Sequence, residues 1–366
     1  METLLDFLRT SMAFVVSLGI LIFFHEFGHF LAAKLSGVSV ERFSLGFGPR
    51  LLGKTWRETD YRISAFPLGG YVKMLGESAD EEVPEELQHA SFSHQRLFRR
   101  AGIVACGPLF NILLAFLVYT LTFALFGVAR PSTDVGSVSP DSAAATAGIQ
   151  AGDKVLAVDG VPVQEWNELS ELIQKAGARP IEIRLQRGSE FLVFQVVPEI
   201  KKTKNLLGEE IQRPLIGIVA SGNVTVEEVN PIEALYYGVD QTWHAVRLTF
   251  MVIGKLFQGA ISPRTLAGPI GIAQMSGQVA EVGAAAFLSF LALLSINLGI
   301  LNLLPVPVLD GGHLLFFLIE AIMGRPLSIR KREIAQQAGL FLLILLMVFA
   351  FYNDISRLLY PGRALP

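Results

Sequence analysis

The chain is poor in charge, has one cysteine and shows no surplus of basic residues, and each scarcity closes off a class of function. Charged residues make up 17% of the 366 positions against 51% hydrophobic, and the mean hydropathy is +0.48. That balance excludes an ordinary soluble domain and points to a membrane protein. The net charge of −3 gives nothing to attract a nucleic acid, so none is expected as a partner. Cys106, alone in an apolar run, excludes both a disulfide framework and a thiolate metal site, and reads as a small hydrophobe. No Ala-x-Ala cleavage pattern follows the first apolar run, which also holds ionisable residues foreign to a signal peptide. It is expected to belong to the mature protein.

What is abundant is long apolar sequence. A membrane-spanning helix needs about 20 mostly apolar residues, and four stretches qualify: 11–33, 101–128, 282–319 and 334–353. The first is interrupted by His25, Glu26 and His29, and the second has no charge at all. The third holds only Asp310 and His313 as ionisable groups, and Pro305, Pro307, Gly311 and Gly312 are expected to break it. Lys34, Arg96, Arg99 and Arg100 flank the first loop, and Arg325, Arg330, Lys331 and Arg332 the third. The positive-inside bias puts both loops in the cytoplasm. The segment between spans two and three, and both termini, then fall outside.

The first cytoplasmic segment predicts β structure. Glycine and proline punctuate 43–66, the run 61–66 alternates, 67–70 reads as a turn, and 77–86 as an acidic solvated loop. The outer segment, 131–230, has the punctuation of a small α/β domain. Strands are predicted at 154–158, 181–186 and 191–197, with a helix at 166–176. Its Ala-Gly-Ile-Gln-Ala-Gly-Asp stretch (147–153) and the Val-Asp-Gly turn (158–160) resemble a PDZ domain. Beyond it, Ile232, Leu235, Tyr236, Val239, Trp243, Val246, Phe250, Ile253 and Phe257 recur every three or four residues. That spacing predicts an amphipathic helix, lying on the membrane surface or packed on the outer domain.

His25-Glu26-Phe27-Gly28-His29 carries the chemistry. Residues four apart share a helix face, so both imidazoles reach one metal ion while Glu26 stands beside them as a base. The five-residue pattern alone is common; its place inside a span gives it weight. Each charged group at mid-bilayer costs about 3 kcal/mol on insertion scales, and no Lys or Arg lies in the four runs to neutralise Glu26. A catalytic zinc needs a third protein ligand and one open position. From chemistry alone either Asp310 or His313 qualifies. Broken backbone at that depth is tolerated only inside protein or beside a watery cavity, where a hydrolase needs its water.

His25-Glu26-x-x-His29 in a first span, Leu309-Asp310-Gly311 in a third and a PDZ-like segment between spans two and three together resemble the site-2 protease family of intramembrane zinc metalloproteases, in its bacterial RseP-type branch. The likeness extends to Gly46-Phe47-Gly48-Pro49, Pro67-Leu68-Gly69-Gly70-Tyr71-Val72, Gly107-Pro108 with Asn111, and Leu266-Ala267-Gly268-Pro269-Ile270-Gly271. The branch's namesake has two PDZ domains in tandem, whereas only one fits here. The resemblance implies a multi-pass α-helical membrane protein: a first catalytic half (1–128), a PDZ domain (131–230), a surface helix (231–262) and a second catalytic half (263–366). It implies Zn2+ as cofactor, held by His25, His29 and Asp310, with Glu26 as general base. Asn302 would help hold the substrate or the developing oxyanion, and His313 would be structural. The implied setting is the bacterial cytoplasmic (inner) membrane, with the PDZ domain extracytoplasmic. Implied substrates are single-span membrane proteins, such as anti-sigma factors or remnant signal peptides, and the alternating strand would pair with an unwound substrate. Two rivals stand beside it. A PDZ scaffold with a vestigial metal site predicts loss of a catalytic side chain, and none is missing. A metal-ion transporter needs further polar groups along a pore, and the spans offer only the compact set.

Overall fold

The computed structural model describes residues 2–78, 82–204 and 210–359; part of the predicted acidic loop, 79–81, lies outside them. The chain forms two compact units. One comprises residues 1–122, 235–253 and 263–366, the other 123–234 and 254–262.

The first unit opens with α1 (Glu2–Leu35), followed by β1 (Val40–Trp56), β2 (Thr59–Met74) and α2 (Leu97–Phe126). At 1.5 Å per residue, α1 runs about 50 Å, well beyond the predicted 11–33. Phe23 and Phe30 on α1 meet Phe43 of β1, and Phe30 also meets Tyr61 of β2, with ring centroids 5.3–6.0 Å apart. With Val38, Val40, Val72 and Met74 these rings form the core between helix and sheet. The predicted turn at 67–70 is not one: β2 runs through it, and Gly70 pairs with Leu45.

The sheet's register decides which strand has a free edge. Tyr61 pairs with Phe43 on one side and Lys54 on the other, and Arg62 with Ser44 and Gly53. The alternating run is therefore interior and cannot accept another strand. Residues 70–74 pair only with 40–45 among the described residues, which leaves them at the edge.

The second unit holds β3 (Val128–Pro131), β4 (Val135–Val138), α3 (Ala143–Ala147), β5 (Lys154–Val158), β6 (Val161–Pro162), α4 (Trp166–Ala176), β7 (Ile181–Arg187), β8 (Glu190–Val196), β9 (Glu199–Lys204), β10 (Glu210–Leu215), β11 (Ile218–Ala220) and β12 (Val224–Glu227). Its main sheet has the order β6-β5-β7-β8. Ile181, Ile183 and Leu185 alternate inward from β7 and meet Leu169, Ile173 and Ala176 from one face of α4. The strands and the helix predicted at 154–158, 166–176, 181–186 and 191–197 are present to within a residue or two.

α5 (Pro231–Phe257) is the predicted amphipathic helix, capped by Asn230, whose side chain accepts from the Ile232 and Glu233 amides. Its buried face is not the apolar one. Gly238 lies against Thr120 of α2, and Thr249 donates a 2.8 Å bond to Asn297 of α7 (Ala284–Asn302). Small residues thus make the packed stripe, while Tyr236, Val239, Trp243 and Phe250 remain exposed.

The chain then forms α6 (Pro269–Val282), which ends where the third apolar run begins and was not predicted as a helix, then α7, α8 (Asp310–Met323) and α9 (Ile329–Leu359). The expected break falls between α7 and α8, across Pro305 and Pro307. Among the described residues, four helices are long and apolar enough to cross a membrane: α1, α2, α7 and α9. Large apolar side chains stay uncovered on α9, among them Phe341 and Val348.

Candidate metal centre

The centre is assembled where α1, α2 and the α7–α8 break meet. Two glycines set the spacing of α1 against α2. A Cβ on Gly28 would lie 2.4 Å from the Cys106 carbonyl oxygen, and one on Gly107 would lie 2.2 Å from His29 Nε2. Neither position has room for a side chain. Gly28 is thus a packing requirement inside the His-Glu-x-x-His pattern, and the helix bearing Cys106 is held against the helix bearing the histidines.

Three of the predicted residues converge. His25 Nε2 is 3.1 Å and His29 Nε2 3.5 Å from Asp310 Oδ2, and the two imidazole nitrogens are 3.2 Å apart. For metal–ligand bonds of about 2.0–2.1 Å in tetrahedral geometry, ligand atoms should stand about 3.3 Å from one another. The three edges bracket that value. Asp310 Oδ2 is buried facing the two imidazole nitrogens, as a carboxylate oxygen sharing one cation with them would be. Asp310 starts α8, so the proline-broken turn before it aims its side chain back at α1. His313, the alternative ligand, lies one turn further along α8 and is outside this set of three.

The remaining ring nitrogens fix the imidazoles. His29 Nδ1 lies 3.0 Å from the Ile103 carbonyl oxygen, so it carries the proton and donates, leaving Nε2 free for a metal. His25 Nδ1 is 3.2 Å from the side-chain amide of Asn111 on α2. Asn111 is fully buried, and its Oδ1 lacks a partner with the amide oriented as it stands. Turning the amide over lets His25 Nδ1–H donate to Oδ1 and satisfies both groups. Sequence reading gave Asn111 no role. The available signal was its spacing, one helical turn beyond Gly107-Pro108, whose glycine borders the second histidine.

Glu26 does not join the three. It turns toward the sheet, where it accepts a backbone hydrogen bond from Val72, and Gly70 lies against its Cγ. Asn302, the last residue of α7, places its amide 3.5 Å from His25 Nδ1, at the outer limit of a hydrogen bond and farther than Asn111. A cavity of 780 Å³ opens beside His25, Glu26, His29 and Asp310 and continues past His313 to Arg100 and Arg332. His89 and His244 are exposed; His94 is exposed too but also lines the cavity.

Comparison with known proteins agrees with this geometry. Peptidase family M50 matches residues 13–346. An Agrobacterium fabrum protein named as a candidate zinc metalloprotease is 40% identical, covering 94% of this chain and 95% of its own length. A similarly named Campylobacter jejuni protein is 37% identical over 97% of this chain and 94% of its own. The regulator of sigma-E protease RseP of Escherichia coli is 34% identical over 97% of this chain and all of its own length. Among solved structures, a PDZ domain from Listeria monocytogenes matches 25% of this chain and 90% of its own at 22% identity, with a TM-score of 0.21, too low to assign a fold.

Proposed function

This zinc metalloprotease belongs to peptidase family M50, the site-2 proteases, and we propose that it hydrolyses peptide bonds within the transmembrane segments of single-span membrane proteins. The observation that carries the reading is the convergence of His25, His29 and Asp310 between helices apolar enough to span a bilayer. His25, His29 and Asp310 hold the zinc, and Glu26, beside them but not among them, is the general base. Zinc bound there would supply a Lewis acid that polarises a carbonyl and lowers the pKa of water. Glu26 takes the proton of the attacking water and hands it to the leaving amine. Asn302 reaches the substrate from the end of α7. A helical substrate hides its amides, so it must unwind. We infer that it then adds as a strand to the edge at residues 70–74, whose amide at Val72 already contacts Glu26.

The finer assignments follow the same reading. Residues 131–230 are a PDZ domain on the extracytoplasmic side of the bacterial inner membrane, and the basic loops face the cytoplasm. α5 lies along the membrane surface with its uncovered apolar face in lipid. Substrates of the implied kind are anti-sigma factors and remnant signal peptides. The test is cleavage of a reporter span by the purified protein with and without a chelator. Cleavage that survives full removal of zinc would end this reading.

A further inference from the structure

Hydrolysis turns one neutral amide into two charged ends: the water oxygen stays on the carbonyl carbon as a carboxylate, and the nitrogen leaves as an ammonium. Both must depart from a site enclosed by apolar helices. An anion in such surroundings is costly unless cations and donors meet it.

The cavity beside the metal centre offers such a meeting place. Arg100 of α2 and Arg332 of α9 both line it, as does His313, which lies between them and Asp310 along α8. Glu320, lower on the same helix, pairs with both guanidiniums, so two positive groups share one carboxylate. Asp310, His313, Phe317 and Glu320 fall on one face of α8, and ten residues of helix separate the metal ligand from Glu320 by about 15 Å. The ring of Phe317 supports Arg100, whose guanidinium carbon stands 5.0 Å from the ring centroid. The Nε atoms of both arginines are buried with no hydrogen-bond partner. Arg100, Arg332 and the Glu320 they share carry one net positive charge among the three, and both arginines line the cavity of the hydrolytic centre, where their guanidiniums can meet a carboxylate.

We propose that Arg100 and Arg332 receive the new carboxylate of the fragment N-terminal to the cut as it leaves the metal centre. The site rests on the hydrolytic reading above and assigns no residue to the chemical step. Four carboxylates share the wall, Glu26 and Asp310 at the metal centre and Glu77 and Glu333 beyond it, so both guanidiniums are needed to make the site attractive to an anion.

The test uses the zinc-loaded full chain in detergent, a reporter span, and synthetic peptides matching the N-terminal product. One peptide ends in a free carboxylate and the other in a carboxamide. The carboxylate peptide should inhibit the wild type about tenfold better, as one charge-assisted pair implies. Arg332→Gln and Arg100→Gln should remove most of that preference, while Glu320→Gln, which frees both guanidiniums, should widen it. Should Arg100→Gln fail to fold, Arg332→Gln and Glu320→Gln decide by their opposite signs. Equal inhibition by both peptides in the wild type overturns the proposal. So does a preference untouched by Arg332→Gln and Glu320→Gln, which would place the carboxylate on the metal. Loss of reporter cleavage in the wild type itself would strike the hydrolytic reading instead, which keeps the two failures distinct.

Discussion

The two units differ most in how they treat buried polar atoms. Among the described residues, those buried without a hydrogen-bond partner all lie in the first unit: Asn111 Oδ1, Asp310 Oδ2, Arg100 Nε and others. The second unit has a dense apolar core, and its buried Asp153 is fully engaged, taking two bonds from Arg187 and one from the Gln150 amide. Orphaned polar groups cost stability, so a fold tolerates them where something else is to occupy the space. Three of these atoms, on Arg100, Asp310 and Arg332, belong to residues that line the cavity beside His25 and His29, so the first unit is the one with an open polar site.

Removing the metal ligands should break the first unit's function and leave the second untouched. His25→Ala, His29→Ala and Asp310→Ala are expected to lose zinc and all cleavage. Glu26→Gln should keep its zinc and lose about 10²- to 10⁴-fold in turnover, because it removes the base and no ligand. Metal content of the purified variants checks this. A zinc-free His313→Ala beside a zinc-replete Asp310→Ala would reverse the ligand assignment.

The converse test sits in the second unit. Leu169 is fully buried between α4 and the sheet. Leu169→Ala should cost that unit about 2–5 kcal/mol, read from the fluorescence of Trp166, which packs on the same core, in a background lacking Trp56 and Trp243. Zinc content should not change. A matching loss of zinc would show that the units are energetically coupled.

A smaller effect sharpens the comparison inside the first unit. If Asn111 is there to hold the His25 ring rather than to fill space, Asn111→Leu should lower zinc affinity about 10- to 100-fold while the chain stays folded. Asn111→Asp, which keeps an acceptor for His25 Nδ1–H, should lose less. Equal losses in both would reduce Asn111 to packing.

What could be read from the sequence divides along the same line. Hydropathy finds α1, α2, α7 and α9, because lipid-facing helices must be apolar over their whole length. Proline finds the break before Asp310, and the His-Glu-x-x-His spacing finds two of the three converging side chains, because both are local rules. The free sheet edge was misplaced: alternation at 61–66 describes a half-buried strand whether or not both of its sides are paired, and only the register with Phe43 and Lys54 shows that they are. Asn111, Arg100 and Arg332 gain their meaning from groups on other helices, at sequence separations of 86 for Asn111–His25 and 220 for Arg100–Glu320. The packed face of α5 was beyond the sequence for the same reason. Its small residues pack and its large ones do not, as in helices whose apolar side is turned to lipid.

The last test concerns proton binding in the second unit. Burial alone would raise the Asp153 carboxyl, but the hydrogen bonds from Arg187, the Gln150 amide and the Arg187 charge outweigh it and hold the carboxyl below its ordinary value. A carboxyl whose pKa is lower in the folded than in the unfolded state favours folding when ionised. That contribution is complete above the unfolded value of about 3.9 and is lost as pH falls through the folded value. Arg187 is partly exposed, which limits the pair to about 1 kcal/mol. Asp153→Asn should therefore lower the thermal midpoint of the Trp166 signal at neutral pH by a modest amount. Below about pH 4 the wild type should lose stability more steeply than the variant, so the two midpoints draw together. Parallel curves from pH 7 to pH 3 would mean that the carboxylate charge contributes nothing, and that Asp153 serves only as a neutral acceptor for the turn at Gln150.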